Sequence, residues 1–179
     1  MRILLAISRV IDAVNGKLAV IANWLVLLSC LISAGNAFSR YAFNISSNAW
    51  LEIQWYMFAA VVMLGTSYTL KRNEHVRVDI VYANVSTRRQ MGIDIFGFIV
   101  FMLPATVIMA YLSWPIFYNS WHMGEISSNA GGLIRWPVKI LLPIGFFLLT
   151  LQGISELIKR IAMLTGHMKA DLHYERPLQ

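Results

Sequence analysis

Charged residues are scarce in this sequence. They make up only 13% of its 179 residues, whereas 58% of the residues are hydrophobic. A compact soluble domain of this length could not cover its apolar surface with so few charges. The composition therefore excludes an ordinary soluble domain and indicates a membrane protein, in which lipid covers that surface. The single cysteine, Cys30, also excludes an internal disulfide framework.

Motifs for common enzyme chemistry are missing as well. The sequence has no glycine-rich phosphate loop, no zinc-binding His-Glu-x-x-His helix and no nucleophile elbow. A membrane haem protein would need histidines inside its apolar runs as axial ligands. All the histidines lie outside those runs, at His75, His122, His167 and His173. We therefore expect no enzymatic activity, no cofactor and no bound metal.

Four apolar runs are long enough to cross a bilayer, since about 20 helical residues span a hydrocarbon core of about 30 Å. These runs are residues 18–38, 53–70, 95–114 and 140–158. We predict an all-α, polytopic membrane protein with four transmembrane helices. Residues 1–179 would form a single membrane domain, in which residues 159–179 are a polar tail.

Residues 1–17 have the pattern of an amphipathic helix. Apolar residues recur at helical spacing on one face, and the other face carries Arg2, Ser8, Arg9, Asp12 and Asn15. A cleaved signal peptide is a poor fit, because Arg9 and Asp12 interrupt its would-be apolar core. The pattern predicts an interfacial helix that leads into the first span.

The distribution of basic residues predicts the orientation. Only Arg40, Arg135 and Lys139, of fifteen lysines and arginines, lie in the first and third connections between spans. Short cytoplasmic segments accumulate these residues, so both termini and the second connection should be cytoplasmic. The net charge of +6 then follows from topology, and we expect the partner of these cations to be the phospholipid bilayer and not a nucleic acid.

The centres of the predicted spans contain almost no ionisable groups. Glu156 interrupts the fourth run, but Lys159 and Arg160 lie within one turn and offer it an ion pair. A carrier that works alone needs polar groups near the midplane to bind its cargo. The sequence therefore favours an auxiliary subunit. Two alternatives remain: a self-sufficient four-helix exporter, which ordinarily needs a carboxylate in its first span, and a membrane anchor or structural subunit of another complex.

One segment resembles a known family. Residues 50–80 read WLEIQWYMFAAVVMLGTSYTLKRNEHVRVDI. Glu52 opens the second span, Gly65 to Ser67 lie near its end, and a basic pair is followed by His-x-x-x-Asp. This arrangement is similar to the motif region of the small membrane subunit of tripartite ATP-independent periplasmic (TRAP) transporters. Four spans and residues 131–146, GGLIRWPVKILLPIGF, are also similar to that family.

The resemblance implies a three-part importer in the bacterial inner membrane. A periplasmic solute-binding protein would capture the solute, usually an organic acid, and a large membrane subunit would move it inward, coupled to sodium. The small subunit would be a static scaffold for the large subunit and would help to dock the binding protein.

The resemblance and the predicted topology together suggest three groups of site residues. The family motif at the cytoplasmic turn comprises Lys71, Arg72, His75, Arg77 and Asp79. The charges available for docking, or for local ion pairs such as Arg40 with Glu52, are Arg40, Glu52, Glu125, Arg135 and Lys139. Small residues that would let a neighbouring helix approach closely are Ser29, Ser33 and Gly65.

Overall fold

The computed structural model describes residues 1–45, 47–73 and 85–168. Within these residues the protein is helical, without a β-strand. Its elements are α1 (Arg2–Phe43), α2 (Asn48–Arg72), α3 (Thr87–Gly97), a π-helical segment (Phe98–Met102), α4 (Leu103–His122), α5 (Trp136–Lys139) and α6 (Leu141–Leu164). The prediction of an all-α protein is confirmed.

The helices alternate in direction, which creates two ends. The start of α1, the end of α2, the start of α3 and the end of α6 meet at what we call the terminal end, where Lys71 contacts Asp12 and Arg160 contacts Asp94. The end of α1, the start of α2 and the connection 123–135 lie at the opposite end, which we call the loop end. Both α1 and α2 stop at an asparagine in the left-handed region, Asn44 and Asn73, a conformation that asparagine tolerates better than most residues.

α6 occupies the centre of the fold and packs on α1, α2 and α4. Two of its glycines permit close approach. A Cβ on Gly145 would lie 2.8 Å from Cβ and 3.1 Å from the backbone oxygen of Met63 on α2. A Cβ on Gly153 would lie 3.1 Å from the terminal methyl of Met102. Small residues at these two positions therefore let neighbouring helices pack tightly against α6.

The π-helical segment accommodates Pro104. Proline has no backbone N–H and its ring crowds the preceding turn. In the turn before it, the N–H of Leu103 donates to the carbonyl of Phe98, a five-residue step that characterises π-helix. This wider turn places Met102 and Leu103 over Gly153 of α6. The irregularity therefore takes part in helix packing.

Many large apolar side chains lie on the outside of the protein and many polar side chains lie inside, as expected for a protein surrounded by lipid. Large apolar side chains such as Trp24, Phe58 and Phe101 are more than 60% exposed. Buried positions include many polar residues: Ser8, Asn15, Glu52, Ser67, Thr106, Gln152, Ser155, Glu156 and Arg160. Polar groups are costly in hydrocarbon unless they are paired inside the protein. A multi-pass membrane protein fits this distribution.

In the part of the chain that the structure describes, three helices are long and apolar enough to cross a membrane: Arg2–Phe43, Thr87–His122 and Trp136–Leu164. α2 has 25 residues, which at about 1.5 Å each is also sufficient length, but it is less apolar. The predicted total of four spans and the orientation of the termini remain predictions.

The N-terminal segment differs from the expectation of a distinct interfacial helix. α1 continues without a break for 42 residues, so residues 1–17 and the first predicted span form one helix. Its polar face packs on α6, while its apolar residues Ile3 and Val10 are 77% and 63% exposed. The sequence pattern identified the two faces, but it could not show that another helix supplies partners for the polar one.

Candidate functional site

A cluster of polar side chains joins the start of α1 to the end of α6. Within each helix the contributing residues recur at intervals of three or four positions, with Ser155 and Glu156 adjacent, and so share one face. We call the following seven residues the Asp12 cluster: Ser8, Asp12, Asn15, Gln152, Ser155, Glu156 and Lys159.

Asp12 lies at the centre of this cluster, where both of its carboxylate oxygens are engaged. Oδ1 accepts hydrogen bonds from Nε2 of Gln152 at 2.8 Å and from Oγ of Ser155 at 2.9 Å. Oδ2 accepts from Nζ of Lys159 at 3.1 Å. Lys159 also pairs with Glu156, as the sequence suggested. One ammonium group therefore bridges two carboxylates from two different helices.

Further bonds extend the cluster along both helices. The hydroxyl oxygens of Ser8 and Ser155 are 2.7 Å apart, and Nδ2 of Asn15 donates to Oε1 of Gln152 at 2.7 Å. Ser8, Asn15, Gln152 and Ser155 are almost completely buried. Buried bonds of this kind hold two helices in one register, because sliding either helix would leave polar groups unpaired.

Two other contacts bring α2 and α3 into the terminal end. Nζ of Lys71, in the last turn of α2, donates to the backbone oxygen of Asp12 at 3.0 Å. Nε of Arg160 lies 2.7 Å from Oδ2 of Asp94, and both side chains are less than 10% exposed. A charged side chain thus joins α2 to α1 there, and another joins α3 to α6.

At the loop end, residues 125–135 fold back on themselves. The N–H of Arg135 donates to the carbonyl of Glu125, and the N–H of Ser127 donates to the carbonyl of Leu133, both at 2.9 Å. Gly132 is required at the bend, because a Cβ there would lie 2.5 Å from Cβ of Ser127. We call this segment the 125–135 loop.

The 125–135 loop is bound by one face of α2. Asn48, Glu52 and Tyr56 are four residues apart on that helix and so form a stripe. Nδ2 of Asn48 donates to the carbonyl of Ala130 at 3.1 Å, and Oη of Tyr56 donates to the carbonyl of Ile134 at 3.2 Å. The two contacts lie on either side of Glu52.

Glu52 makes the central contact, and its side chain is shielded from solvent. Nδ2 of Asn129 and the backbone N–H of Leu133 each donate to its carboxylate at 2.7 Å, and the hydroxyl of Ser127 donates as well. The residue is 3% exposed. The Leu133 amide, Ser127 and Asn129 lower the pKa of Glu52, because these bonds favour the charged form. We call Glu52 and its three donors the Glu52 cluster.

Glu125 gathers two of the predicted docking cations. It pairs with Lys139 and, at 3.7 Å, with Nη1 of Arg135. The hydrogen bond from Lys139 is the main cause that lowers the pKa of Glu125. Arg40 is exposed in the last turn of α1 and forms no ion pair with any residue that the structure describes. The suggested pair of Arg40 with Glu52 is therefore replaced by the bonds between Glu52 and the loop.

The family motif is described only in part. Lys71 and Arg72 form the last turn of α2, and Lys71 bonds to α1. The predictions for His75, Arg77 and Asp79 concern positions outside the described residues. These three therefore remain predictions from the sequence.

The predicted helix-packing residues occupy three different environments. Ser29 is half-buried on α1, and Ser33 is exposed. A Cβ on Gly65 would meet no described atom within 4 Å, in contrast to Gly145 and Gly153. The sequence analysis did not single out these two glycines of α6. A hint was present, since both lie inside the fourth apolar run, where glycine reduces helix stability unless packing needs it.

The sequence analysis placed Ser8 and Asp12 on one polar face without a partner, and it missed the stripe on α2. Asn48, Glu52 and Tyr56 follow a spacing of four, as do Ser8 and Asp12. This regular spacing of polar residues in otherwise apolar helices could have indicated helix faces with buried partners. Nothing in the sequence tells which segment supplies those partners.

The described residues offer no obvious place for a metal. Among residues 1–45, 47–73 and 85–168, no three His, Cys, Asp or Glu side chains come close enough to hold an ion. The two clusters are instead internally paired groups that fix helices and a loop.

Comparison with known proteins identifies the family. No curated protein and no solved structure matches the chain significantly. The family described as "Tripartite ATP-independent periplasmic transporters, DctQ component" matches residues 29–163. This match covers α2, α3, α4, α5, most of α6 and the second half of the first predicted span. Since it extends over more than half of the sequence, the chain belongs to the family of the DctQ component of TRAP transporters.

Proposed function

We propose that this protein is the small membrane subunit of a TRAP importer and acts in it as a static scaffold. The family is one of transporter components, not of enzymes. Its members function together with a large membrane subunit and a periplasmic binding protein. Under this proposal the chain holds the large subunit in the inner membrane, with both termini in the cytoplasm, while sodium-coupled uptake of organic acids proceeds in that partner.

The observation that supports the scaffold role is that polar groups inside the protein bond one helix to another. Asp12 of α1 bonds to Gln152 and Lys159 of α6. The hydroxyl of Thr150 on α6 donates to that of Thr106 on α4 at 2.9 Å. A transport site must instead leave polar groups free for its cargo and change shape during the cycle. Groups that pair across helices resist such a change.

The outer surface supports contact with a large apolar partner. Exposed aromatic and aliphatic side chains cover α1 and α4, including Trp24, Leu31, Tyr111 and Trp114. Lipid or the large subunit would cover these faces. Close helix packing in a membrane favours small residues, so Ser29 and Ser33 mark one face of α1 as a candidate contact with that subunit.

The loop end supports docking of the binding protein. Arg135 and Lys139 are held by Glu125 at the base of the 125–135 loop, with side chains that remain 42% and 26% exposed. The Glu52 cluster fixes the loop, so these cations are presented without a large cost of ordering. Arg40 at the end of α1 adds a further exposed charge.

Reconstitution tests the main proposal. The chain, the large subunit and the binding protein from the same organism would be purified and incorporated into vesicles separately and together. With a panel of labelled organic acids and an inward sodium gradient, we expect uptake only when all three proteins are present. Uptake by this chain alone would favour the self-sufficient exporter and reject the scaffold role.

Charge reversal tests docking. The double variant Arg135→Glu, Lys139→Glu should lower uptake at limiting binding protein, and higher concentrations of that protein should restore it. The matched control reverses Arg88 and Arg89, which lie exposed at the terminal end. If the docking variant and the wild type take up solute equally, these cations are not part of the docking surface.

Co-purification tests the cytoplasmic turn. We propose that His75 and Asp79 hold the turn against the large subunit, with Lys71, Arg72 and Arg77 beside them. Replacement of His75 or Asp79 by Ala should reduce the amount of large subunit recovered in mild detergent, relative to Lys17→Ala. If recovery of the large subunit is undiminished, the motif serves only to set the orientation of the chain in the membrane.

A further inference from the structure

A cavity of about 450 Å³ lies at the terminal end, beside the Asp12 cluster. Its walls come from the first turns of α1, from the end of α6 and from Met168, which follows that helix. The lining residues are Arg2, Leu5, Ser8, Arg9, Asp12, Lys159 and Met168. On α1 these residues recur every three or four positions, so they form one stripe that faces the groove.

The charges around the cavity favour an anion. Arg2 and Arg9 are exposed and form no ion pair with any described residue. The lining carries three cations, Arg2, Arg9 and Lys159, against the single carboxylate of Asp12. The oxygens of Asp12 accept bonds from Gln152, Ser155 and Lys159, so Asp12 pairs with neither arginine. Two guanidinium groups on one groove are a suitable partner for a phosphate, which arginine can bind with paired N–H donors.

Lys159 adds a donor at the floor of the cavity. An ammonium group has three N–H bonds, and two of them are used by Asp12 and Glu156. The third remains for a ligand. Because the two carboxylates and Ser155 hold this part of α6 against α1, the donor is fixed in place before a ligand binds.

The surroundings indicate that the anion belongs to a lipid. Lys159 directly follows the predicted span 140–158, so the cavity lies where α6 leaves the hydrocarbon. Ile3, Leu4, Ile7 and Val10 on the outer face of α1 are all at least 45% exposed, and Leu5 and Met168 give the groove apolar walls. A free phosphate would gain nothing from apolar walls, whereas acyl chains would cover them.

We propose that this cavity binds the headgroup phosphate of an anionic phospholipid, with Arg2 and Arg9 as the phosphate ligands and Lys159 as the donor at its floor. Basic pockets beside membrane-crossing helices have the chemistry for this role. The lipid would join the start of α1 to the end of α6 and so reinforce the same pair of helices that the Asp12 cluster holds. This site does not depend on the transport role.

The test compares two double variants of the full-length protein in detergent. Arg2→Gln, Arg9→Gln removes the proposed phosphate ligands. Lys17→Gln, Arg88→Gln removes two exposed cations that do not line the cavity. Native mass spectrometry would measure binding of phosphatidylglycerol, with phosphatidylcholine as the neutral probe. Thermal unfolding would be followed with each lipid and with inorganic phosphate alone.

We expect the wild type and the control variant to retain phosphatidylglycerol, to bind phosphatidylcholine more weakly and to unfold at a higher temperature with phosphatidylglycerol. The Arg2, Arg9 variant should bind phosphatidylglycerol about tenfold less tightly or worse, since each cation near an anionic lipid contributes roughly a fivefold factor. It should also lose the thermal shift.

Three results would overturn the proposal. Equal loss of binding in both double variants would mean a diffuse basic surface. An equal thermal shift with inorganic phosphate would mean a site for a small soluble anion. If the chain binds phosphatidylglycerol only after removal of residues 169–179, the acidic residues of that tail are the occupant instead.

Discussion

The two ends of the molecule provide a carboxylate with partners in different ways. At the terminal end, Asp12 is paired with the ammonium group of Lys159, which also binds Glu156. At the loop end, Glu52 is surrounded by neutral donors, including an amide of the backbone. The first arrangement joins two long helices, and the second holds a loop on one helix.

This difference has consequences for stability. Removing a cation from between the buried carboxylate of Glu156 and the partly exposed carboxylate of Asp12 leaves charge without compensation, which is among the most costly changes in a protein interior. Neutral donors that lose a carboxylate are left unsatisfied but uncharged, and near the membrane surface water can reach them. We therefore expect the terminal end to be more sensitive to the loss of one partner than the loop end.

The largest effect should follow Lys159→Met. This substitution keeps the length of the side chain but leaves Asp12 and Glu156 without a cation, so we expect a loss of roughly 3 to 5 kcal/mol in the free energy of unfolding. Thermal or denaturant unfolding in mixed micelles, followed by tryptophan fluorescence, would measure it. The matched control is Lys139→Met at the loop end, where Glu125 stays partly exposed. If the two variants are equally stable, the contrast between the ends is wrong.

The second effect should follow Glu52→Ala. Ser127, Asn129 and the N–H of Leu133 would lose their acceptor, so the 125–135 loop should detach from α2 while the helices keep their packing. Hydrogen exchange measured by mass spectrometry should show faster exchange in residues 125–135 and little change in residues 8–15. Glu52→Gln keeps one carbonyl acceptor and should give an intermediate rate. Protection that is unchanged in Glu52→Ala would show that Asn48 and Tyr56 suffice.

A smaller effect should distinguish the two close contacts of α6. In Gly145→Ala the new Cβ meets Cβ and the backbone oxygen of Met63. These atoms cannot move away easily, so the free energy of unfolding should fall by about 1 to 3 kcal/mol. In Gly153→Ala it meets the ends of the Met102 and Leu103 side chains, which can rotate away. Gly65→Ala has open space and should be neutral or slightly stabilising through helix propensity. Unfolding midpoints of the three variants would test this order.

The smallest effect should be a dependence of loop stability on pH. The pKa of Glu52 is lowered in the folded protein from its ordinary value of 4.5. Its contribution to stability is therefore present above pH 4.5 and is lost as pH falls through the lowered pKa. The difference in unfolding temperature between the wild type and Glu52→Gln should narrow between pH 5 and pH 3. A constant difference would mean that the charge of Glu52 does not contribute.

The class of the protein could be predicted from sequence to a large extent. Long apolar runs must form helices in lipid, because no water is available for their backbone groups. The all-helical fold and the family were therefore accessible from residues 18–158 and from the motif around Glu52. The positions of the helix ends were harder to predict. α1 begins at Arg2 and the third helical run continues to His122, both beyond the apolar stretches, because polar turns can extend a helix past the hydrocarbon.

The sequence identified several residues of the sites, but it did not show which residues they contact. Glu52, Glu125, Arg135 and Lys139 were selected from their position at one membrane face, and all four bind elements of the loop end. Their partners were not foreseeable, because Glu52 and Leu133 are separated by 81 positions. Residues 1–17 were predicted to be an interfacial helix for the same reason, because the residues of α6 that contact their polar face are distant in the sequence.

The sequence by itself determined that this chain folds in a membrane, that its elements are helices and to which family it belongs, because each of these depends on local composition and pattern. Only the tertiary structure decided that Asp12 and Lys159 pair across 147 positions, that Glu52 holds the 125–135 loop, and that Arg2 and Arg9 border one groove. Hydrogen bonds and ion pairs depend on distance in space, and helical periodicity specifies a face of a helix without specifying its neighbour.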